Sequence, residues 1–166
     1  MSIYGVSFDL VGKQPIVLLK TADGNRYLPI WIGHPEAAAI LMKLQGATAP
    51  RPLTHDLLVN ILNELDVEVL RVTVTELREN TFHASITVQQ GDAEIEIDSR
   101  SSDAIAVAVR ADVPIFAADE VVEESAIEFE GEEGPNDDEV VDEFKRFLDR
   151  VRPEDFVEAE VEEDDD

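Results

Sequence analysis

Cysteine is absent from all 166 residues, which excludes a disulfide framework, a thiolate nucleophile and a thiolate metal site. Lysine is scarce: Lys13, Lys20, Lys43 and Lys145 are the only four. No apolar run approaches the ~20 residues that a membrane-spanning helix requires. Met1 leads directly into a strand-like pattern instead of a secretory signal, so a soluble, cytoplasmic protein without a membrane partner is expected. Three catalytic signatures are missing too: a His-Glu-x-x-His zinc helix, a Gly-x-x-x-x-Gly-Lys phosphate loop, and a Ser or Cys triad signature. Ser101 and Ser102 have no base beside them in the sequence.

What the chain has in excess is acid. Asp and Glu number 38 against 13 Lys and Arg, a formal net charge of -25. From Asp119 onward there are 23 acids and only Lys145, Arg146, Arg150 and Arg152; the first 118 residues hold 15 acids and 9 bases. An acid-rich, lysine-poor surface stays hydrated in molar salt, where the Debye length falls to ~3 Å and self-repulsion is screened. The composition therefore reads as that of a halophile's protein; the plainer alternative is an ordinary domain with a disordered acidic tail. The same imbalance opposes nucleic-acid binding through counterion release, which needs a basic patch. A hydrophobic content of 44% supports one globular domain with a substantial core.

Local patterns predict an α+β fold. Ile3 to Leu10 alternates as a strand, Ile16 to Leu19 follows, and Asp23-Gly24 signals a hairpin into Arg26 to Ile32. Pro29 belongs at an edge, bulge or strand end. A helix is predicted from Pro35, at its first position, to Leu44, closed by Gly46. Thr54 reads as the N-cap of a second helix over 56–65. The plan then repeats with strands over 67–77, 81–89 and 93–98, a helix over 102–111, and Pro114 to Val122 echoing Pro52 to Leu58, with Asp119 near Asp56. A duplicated β-β-β-α-α unit gives about six strands in a mainly antiparallel or mixed sheet packed with four helices. The expected boundaries are a domain over 1–126, an acidic linker over 127–137, an amphipathic helix over 138–152 and an acidic disordered tail over 153–166.

The repeat is clearest at one corner. Leu28 to Ile40 and Ile95 to Val107 each run from an alternating strand through small or polar residues into an Ala-rich helix opened by an acid. Glu36 falls on Asp103 and Ile30 on Ile97.

Three segments carry a family resemblance. Leu28-Pro-Ile-Trp-Ile-Gly33 with Glu36-Ala37, Arg51-Pro-Leu-Thr-His-Asp-Leu57, and Asp98-Ser-Arg-Ser-Ser-Asp-Ala-Ile-Ala-Val107 with Pro114-Ile115 resemble the three signatures of the bifunctional nuclease domain, also called DUF151. They cover about residues 1 to 122; Ser101 stands where the family pattern usually has proline. The resemblance implies a compact α/β fold, assembly as a homodimer or larger homo-oligomer, and nuclease activity on DNA and RNA. With the acidic composition it suggests a haloarchaeal member.

Phosphodiester hydrolysis needs a positioned water and charge neutralisation, commonly supplied by carboxylates holding Mg or Mn. Candidate metal ligands are Glu36, Asp56, Asp98 and Asp103. His55, with Asp56, Glu36 and Asp103, forms the candidate catalytic set, and Arg51 and Arg100 are candidates for phosphate oxygens of single-stranded DNA or RNA. Each also has a structural reading. Glu36, Asp56 and Asp103 suit the first turn of a helix, His55 a helix start, and Arg100 an ion pair with Asp98 or Glu36. His34 and His83 carry no distinctive pattern, and Trp31 suits a sheet surface or subunit contact. The competing functions are a metal-assisted nuclease, a non-catalytic ligand- or protein-binding regulatory module, and an oligomeric scaffold.

Overall fold

Alternating apolar residues build two four-stranded sheets in the computed structural model, which describes residues 1–8, 12–24 and 26–128. The first sheet has the order β1-β2-β3-β8, from Ser2–Phe8, Pro15–Lys20, Arg26–Trp31 and Ile127–Glu128. The second has the order β6-β5-β4-β7, from Ala93–Arg100, Thr81–Gln90, Val67–Arg78 and Ile115–Ala117. All pairings are antiparallel except β4 with β7. Four helices complete the described residues: α1 His34–Leu44, α2 Thr54–Glu64, α3 Ser101–Ala111 and α4 Asp119–Ser125. The Met1 ammonium donates to Ile115 O at 2.6 Å, which ties the start of β1 to β7.

One core joins the layers. Val17, Leu19, Leu28 and Ile30 from the first sheet meet Val72, Val74, Ile86 and Val88 from the second, with Ala37, Ile40, Ile105 and Val107 from α1 and α3 between them. In β4 a bulge at Leu70 shifts the register, so Val67 and Val69 and then Val72 and Val74 all face this core despite their change of parity. Glu79 and Asn80 take positive φ of 49° and 57° in the two-residue loop between Arg78 and Thr81, the backbone that a tight hairpin needs.

Several expectations change. Strand β7 interrupts the second half between α3 and α4, and β8 returns to the first sheet, so eight strands replace the expected six among the described residues. Ile127 and Glu128 pair with Tyr27 and Arg26, so the sheet extends beyond the expected boundary at 126. Pro29 is buried, and it is accommodated because β8 pairs only with Arg26 and Tyr27 and does not extend to it. Pro35 is the second, not the first, residue of α1, and Thr54 is the first residue of α2, whose N-cap is Leu53. Asp119 is the first residue of α4, whereas Asp56 is the third of α2, so that echo does not hold at the level of helix position. Ile30 is fully buried between β2 and the core, while Ile97 is exposed on the edge strand β6; the matched corners have unlike surroundings. Of the linker, amphipathic helix and tail expected over 127–166, only Ile127 and Glu128 are described, as β8; the rest lies outside the described residues.

Candidate functional site

Three of the candidate acids occupy the same local position. Glu36, Asp56 and Asp103 are each the third residue of a helix whose N-cap, Gly33, Leu53 or Arg100, is extended. There a carboxylate meets the positive end of the helix dipole and its unsatisfied amides. Their further partners separate them.

Two of the three meet through one arginine. Arg100 Nε donates to Asp103 Oδ2 at 2.7 Å, and Arg100 Nη2 donates to Glu36 Oε1 at 2.9 Å. On the far side of Asp103, His55 Nε2 lies 2.9 Å from Oδ1. Both α1 and α2 pack against α3, which is how residues 48 and 64 positions apart come into contact. The array grades from sheltered to open: the side chains of His55 and Glu36 are 12% and 14% exposed, and that of Arg100 is 63% exposed. Burial pushes the Asp103 carboxyl up, but its hydrogen bonds to Arg100 and His55 and their charges outweigh that and hold it below the usual carboxylate range. Asp103 first, and Glu36 with it, hold the Arg100 guanidinium above its ordinary value. Those two bonds use two of the five N–H donors of Arg100.

Gly33 leaves room beside this array. A Cβ there would collide with the Glu36 carboxylate, which folds back over the start of α1. A cavity of about 270 Å³ opens alongside, between the two corners and the β4–β5 hairpin. Trp31, Ile32, Leu77 and Phe82 give it apolar walls, and Asn80, Thr81, Arg100 and Ser102 line its polar side.

The third acid goes elsewhere. Asp56 Oδ2 accepts from Leu53 N at 2.8 Å, capping α2, and Oδ1 accepts from Arg110 Nε at 2.6 Å. The Leu53 amide is the first cause of a lowered Asp56 pKa; burial opposes it, and Arg110 and Lys43 add to it. Arg110, whose side chain is 5% exposed, also donates to Ala106 O at 3.0 Å and Ala39 O at 3.1 Å. No sequence pattern points to Arg110, because Asp56 and Ala39 lie on α2 and α1. Arg51 lines a second cavity with Asp56 and Arg110 and takes no part in the Arg100 array. Asp98 is exposed on β6, in register with Ser85, and does not join Glu36 and Asp103. His34 is exposed with its ring 6.3 Å from that of Phe8, and His83 faces Arg100 across the β5–β6 ladder.

The expected four-carboxylate ligand set is therefore not assembled. Among the described residues no group of three or more His, Asp or Glu is placed to hold a metal ion. A guanidinium lies between Glu36 and Asp103, and Asp56 is committed to Arg110. This arrangement does not fit a divalent ion. No helix among the described residues is long and apolar enough to cross a membrane.

Comparison with known proteins gives a consistent result. Residues 17–130 match the sequence model of a family described as the bifunctional nuclease domain. An uncharacterised protein of Mycobacterium tuberculosis is 39% identical over 160 residues, 93% of this chain and 95% of its own length. Bifunctional nuclease 2 of rice (Oryza sativa subsp. japonica) is 27% identical over 106 residues, 61% of this chain and 33% of the plant protein. The bifunctional nuclease of Oryza minuta is 28% identical over 103 residues, 60% of this chain and 31% of its own length. The chain thus spans about a third of each plant nuclease and nearly all of the mycobacterial protein. None of these three comes from a halophile.

Proposed function

The chain belongs to the bifunctional nuclease domain family, and from that premise we propose that it hydrolyses phosphodiester bonds of single-stranded DNA or RNA at the Glu36–Arg100–Asp103–His55 array. The observation that carries the reading is the meeting of a histidine and an exposed guanidinium on one carboxylate, Asp103. Arg100 has three N–H donors left for phosphate oxygens. Asp103 orients the His55 ring, as a carboxylate does for an imidazole that accepts a proton from water. Glu36 fixes the second arm of the guanidinium, and Gly33 leaves room for Glu36. Every step rests on these side chains; Mg or Mn would enter only by displacing Arg100 from a carboxylate.

The test is turnover of labelled single-stranded DNA and RNA by the purified full chain, in low and molar KCl, with EDTA, Mg or Mn. Activity that disappears in both Arg100→Gln and His55→Ala supports the reading. Undiminished activity in both variants would overturn it.

A second reading is favoured by the cavity beside Arg100, whose apolar walls suit a small ligand, and by the neutralisation of Arg100 by two carboxylates. In it the domain is a regulatory binding module. A ligand-induced rise in melting temperature without turnover under any metal would decide for it.

The proposal further takes the protein as cytoplasmic and salt-adapted, its two corners as products of an internal duplication, and its assembly as a homodimer or larger homo-oligomer. The exposed Leu57 and Ile61 on α2, with Leu65 at its C-cap, support self-association. Light scattering at several salt concentrations reads the assembly, and a monomer at every concentration would exclude it.

A further inference from the structure

The second cavity, about 330 Å³, lies between the end of α1, the loop over residues 47–53 and the first turn of α2. Its charge runs against the chain. Lys43, Arg51 and Arg110 line it against one carboxylate, Asp56, in a protein with 38 acids and 13 bases. Arg110 and Asp56 satisfy each other, so the excess comes from Lys43 and Arg51. Among the described residues the other arginines, Arg26, Arg71, Arg78 and Arg100, all have carboxylate partners. Lys20 stands over the Tyr4 and Tyr27 rings. Lys43 and Arg51 are exposed, have no carboxylate partner among the described residues, and share one cavity. Pro50 and Pro52 flank Arg51, which restricts the backbone that presents it.

The placement of this cavity relates it to the array. His55 and Asp56 are adjacent, yet they contact Asp103 and Arg110, seven residues apart on α3. Seven residues are two helical turns and about 10 Å of rise, so the first turn of α2 bridges the two sites along one face of α3. Phosphates along a strand of duplex recur every ~3.4 Å of axis, so 10 Å corresponds to about three stacked nucleotides.

We propose that the cavity holding Lys43 and Arg51 is a phosphate subsite that grips the backbone of a single-stranded nucleic acid about three nucleotides from the array. It rests on the nuclease reading for the identity of the strand, and it makes the substrate a polymer instead of a mononucleotide. Arg110 and Asp56 hold the walls, while Lys43 and Arg51 supply donors to the phosphate. The grip is blind to base identity, because it touches only the backbone. It answers the charge objection locally: among the described residues three exposed cations lack a carboxylate ion pair, Lys13, Lys43 and Arg51, and two of them share this cavity.

The experiment measures binding, not turnover. A fluorescein-labelled 12-nucleotide oligothymidylate is titrated with the full chain by fluorescence anisotropy at several KCl concentrations, for the unmodified protein and for the Lys43→Gln, Arg51→Gln double variant. Glutamine keeps an unbranched polar side chain and removes charge at two exposed positions, and circular dichroism confirms that the variant is folded. Removing two phosphate contacts should make the slope of log affinity against log salt shallower by about 1.4, at ~0.7 per contact for single strands. An equal slope in both proteins would overturn the subsite, as would failure of the unmodified protein to bind. Inorganic phosphate is the competing arm: if millimolar phosphate displaces the oligonucleotide and itself binds as tightly, the cavity is a free-anion site. Turnover is scored separately. Binding with the expected change in slope but no cleavage sinks the nuclease reading alone, and cleavage with an unchanged slope sinks the subsite alone.

Discussion

His55 Nε2 stands 2.9 Å from Oδ1 of Asp103, a residue 48 positions later, whose other oxygen is held by Arg100. Asp103 thus orients the ring and shares its charge with a guanidinium. If His55 moves the proton in phosphodiester cleavage, His55→Gln keeps a donor for Asp103 but cannot titrate. Removing a general acid–base costs ~100-fold to 10,000-fold in rate. We expect kcat to fall by about 100-fold or more, while the melting temperature stays within a few degrees. Equal losses of activity and stability would make His55 a structural residue only.

Arg100 separates two carboxylates that would otherwise confront each other. In Arg100→Gln, Glu36 and Asp103 lose their shared cation, and the pair becomes a better place for a divalent ion. Mn should then raise the melting temperature of the variant more than that of the unmodified protein. Arg100→Lys should not restore activity, because one ammonium cannot reproduce a fork that reaches two carboxylates at 2.7 and 2.9 Å. A Mn response larger in the unmodified protein would show that the ion binds elsewhere.

How much of this was legible in the sequence differs by scale. The apolar run at Arg26 to Trp31 and the alternation at Thr81 to Gln90 locate their strands, because side-chain pattern is a local property. Glu36 and Asp103 were recognisable as first-turn acids for the same reason. Their connection through Arg100 was only half visible: Asp103 is three residues away, but Glu36 is 64 away and needs α1 packed on α3. Asp56 looked the same as the other two in sequence. Arg110 decides its role, and no pattern joins residues 54 apart. Strands β7 and β8, of three and two residues, carry too little pattern to be seen without their partners Val72 to Val74 and Arg26 to Tyr27.

Asp56 binds the Leu53 amide and the Arg110 guanidinium, so its loss acts twice. Removing a helix cap costs ~1 kcal/mol. Orphaning a buried arginine costs up to ~3–5 kcal/mol, reduced here because the Asp56 side chain is 36% exposed and water can reach Arg110. Asp56→Ala should destabilise the fold by about 2 kcal/mol in urea titration, and Asp56→Asn by less. A change under ~0.5 kcal/mol would mean that α2 is held by packing of Val59 and Leu62 alone.

Gly33 has an ordinary φ of -75°, so alanine is allowed by its backbone and penalised only by the Glu36 carboxylate. That carboxylate ends a flexible side chain, which can swing aside at small cost. Gly33→Ala should therefore change stability by under ~0.5 kcal/mol yet weaken the Glu36–Arg100 contact and with it activity. Its effect should vanish in a Glu36→Ala background, because the two substitutions act on one contact. Additive losses of activity in the double variant would show that Gly33 acts through something other than Glu36.

Asp103 sets the response to acid. Its carboxyl is held below the usual carboxylate range in the folded protein, with burial opposing and Arg100 and His55 prevailing. A lowered native value means that the unfolded chain binds more protons, so the stabilisation is complete above the unfolded value and is lost as pH falls through the native one. Many other carboxylates repel one another in a chain of net charge -25, and their protonation relieves that repulsion. The overall stability curve therefore mixes opposing trends, and the difference from Asp103→Asn isolates this group. Urea unfolding at pH 7, 5, 4 and 3 should show the variant less stable at pH 7 and 5. The gap should begin to narrow below about pH 4, where the carboxyl of the unfolded chain takes up its proton, and should close as the pH falls through the lower native value. A gap that stays constant down to pH 3, or widens, would mean that the charge of Asp103 contributes nothing and only its shape matters.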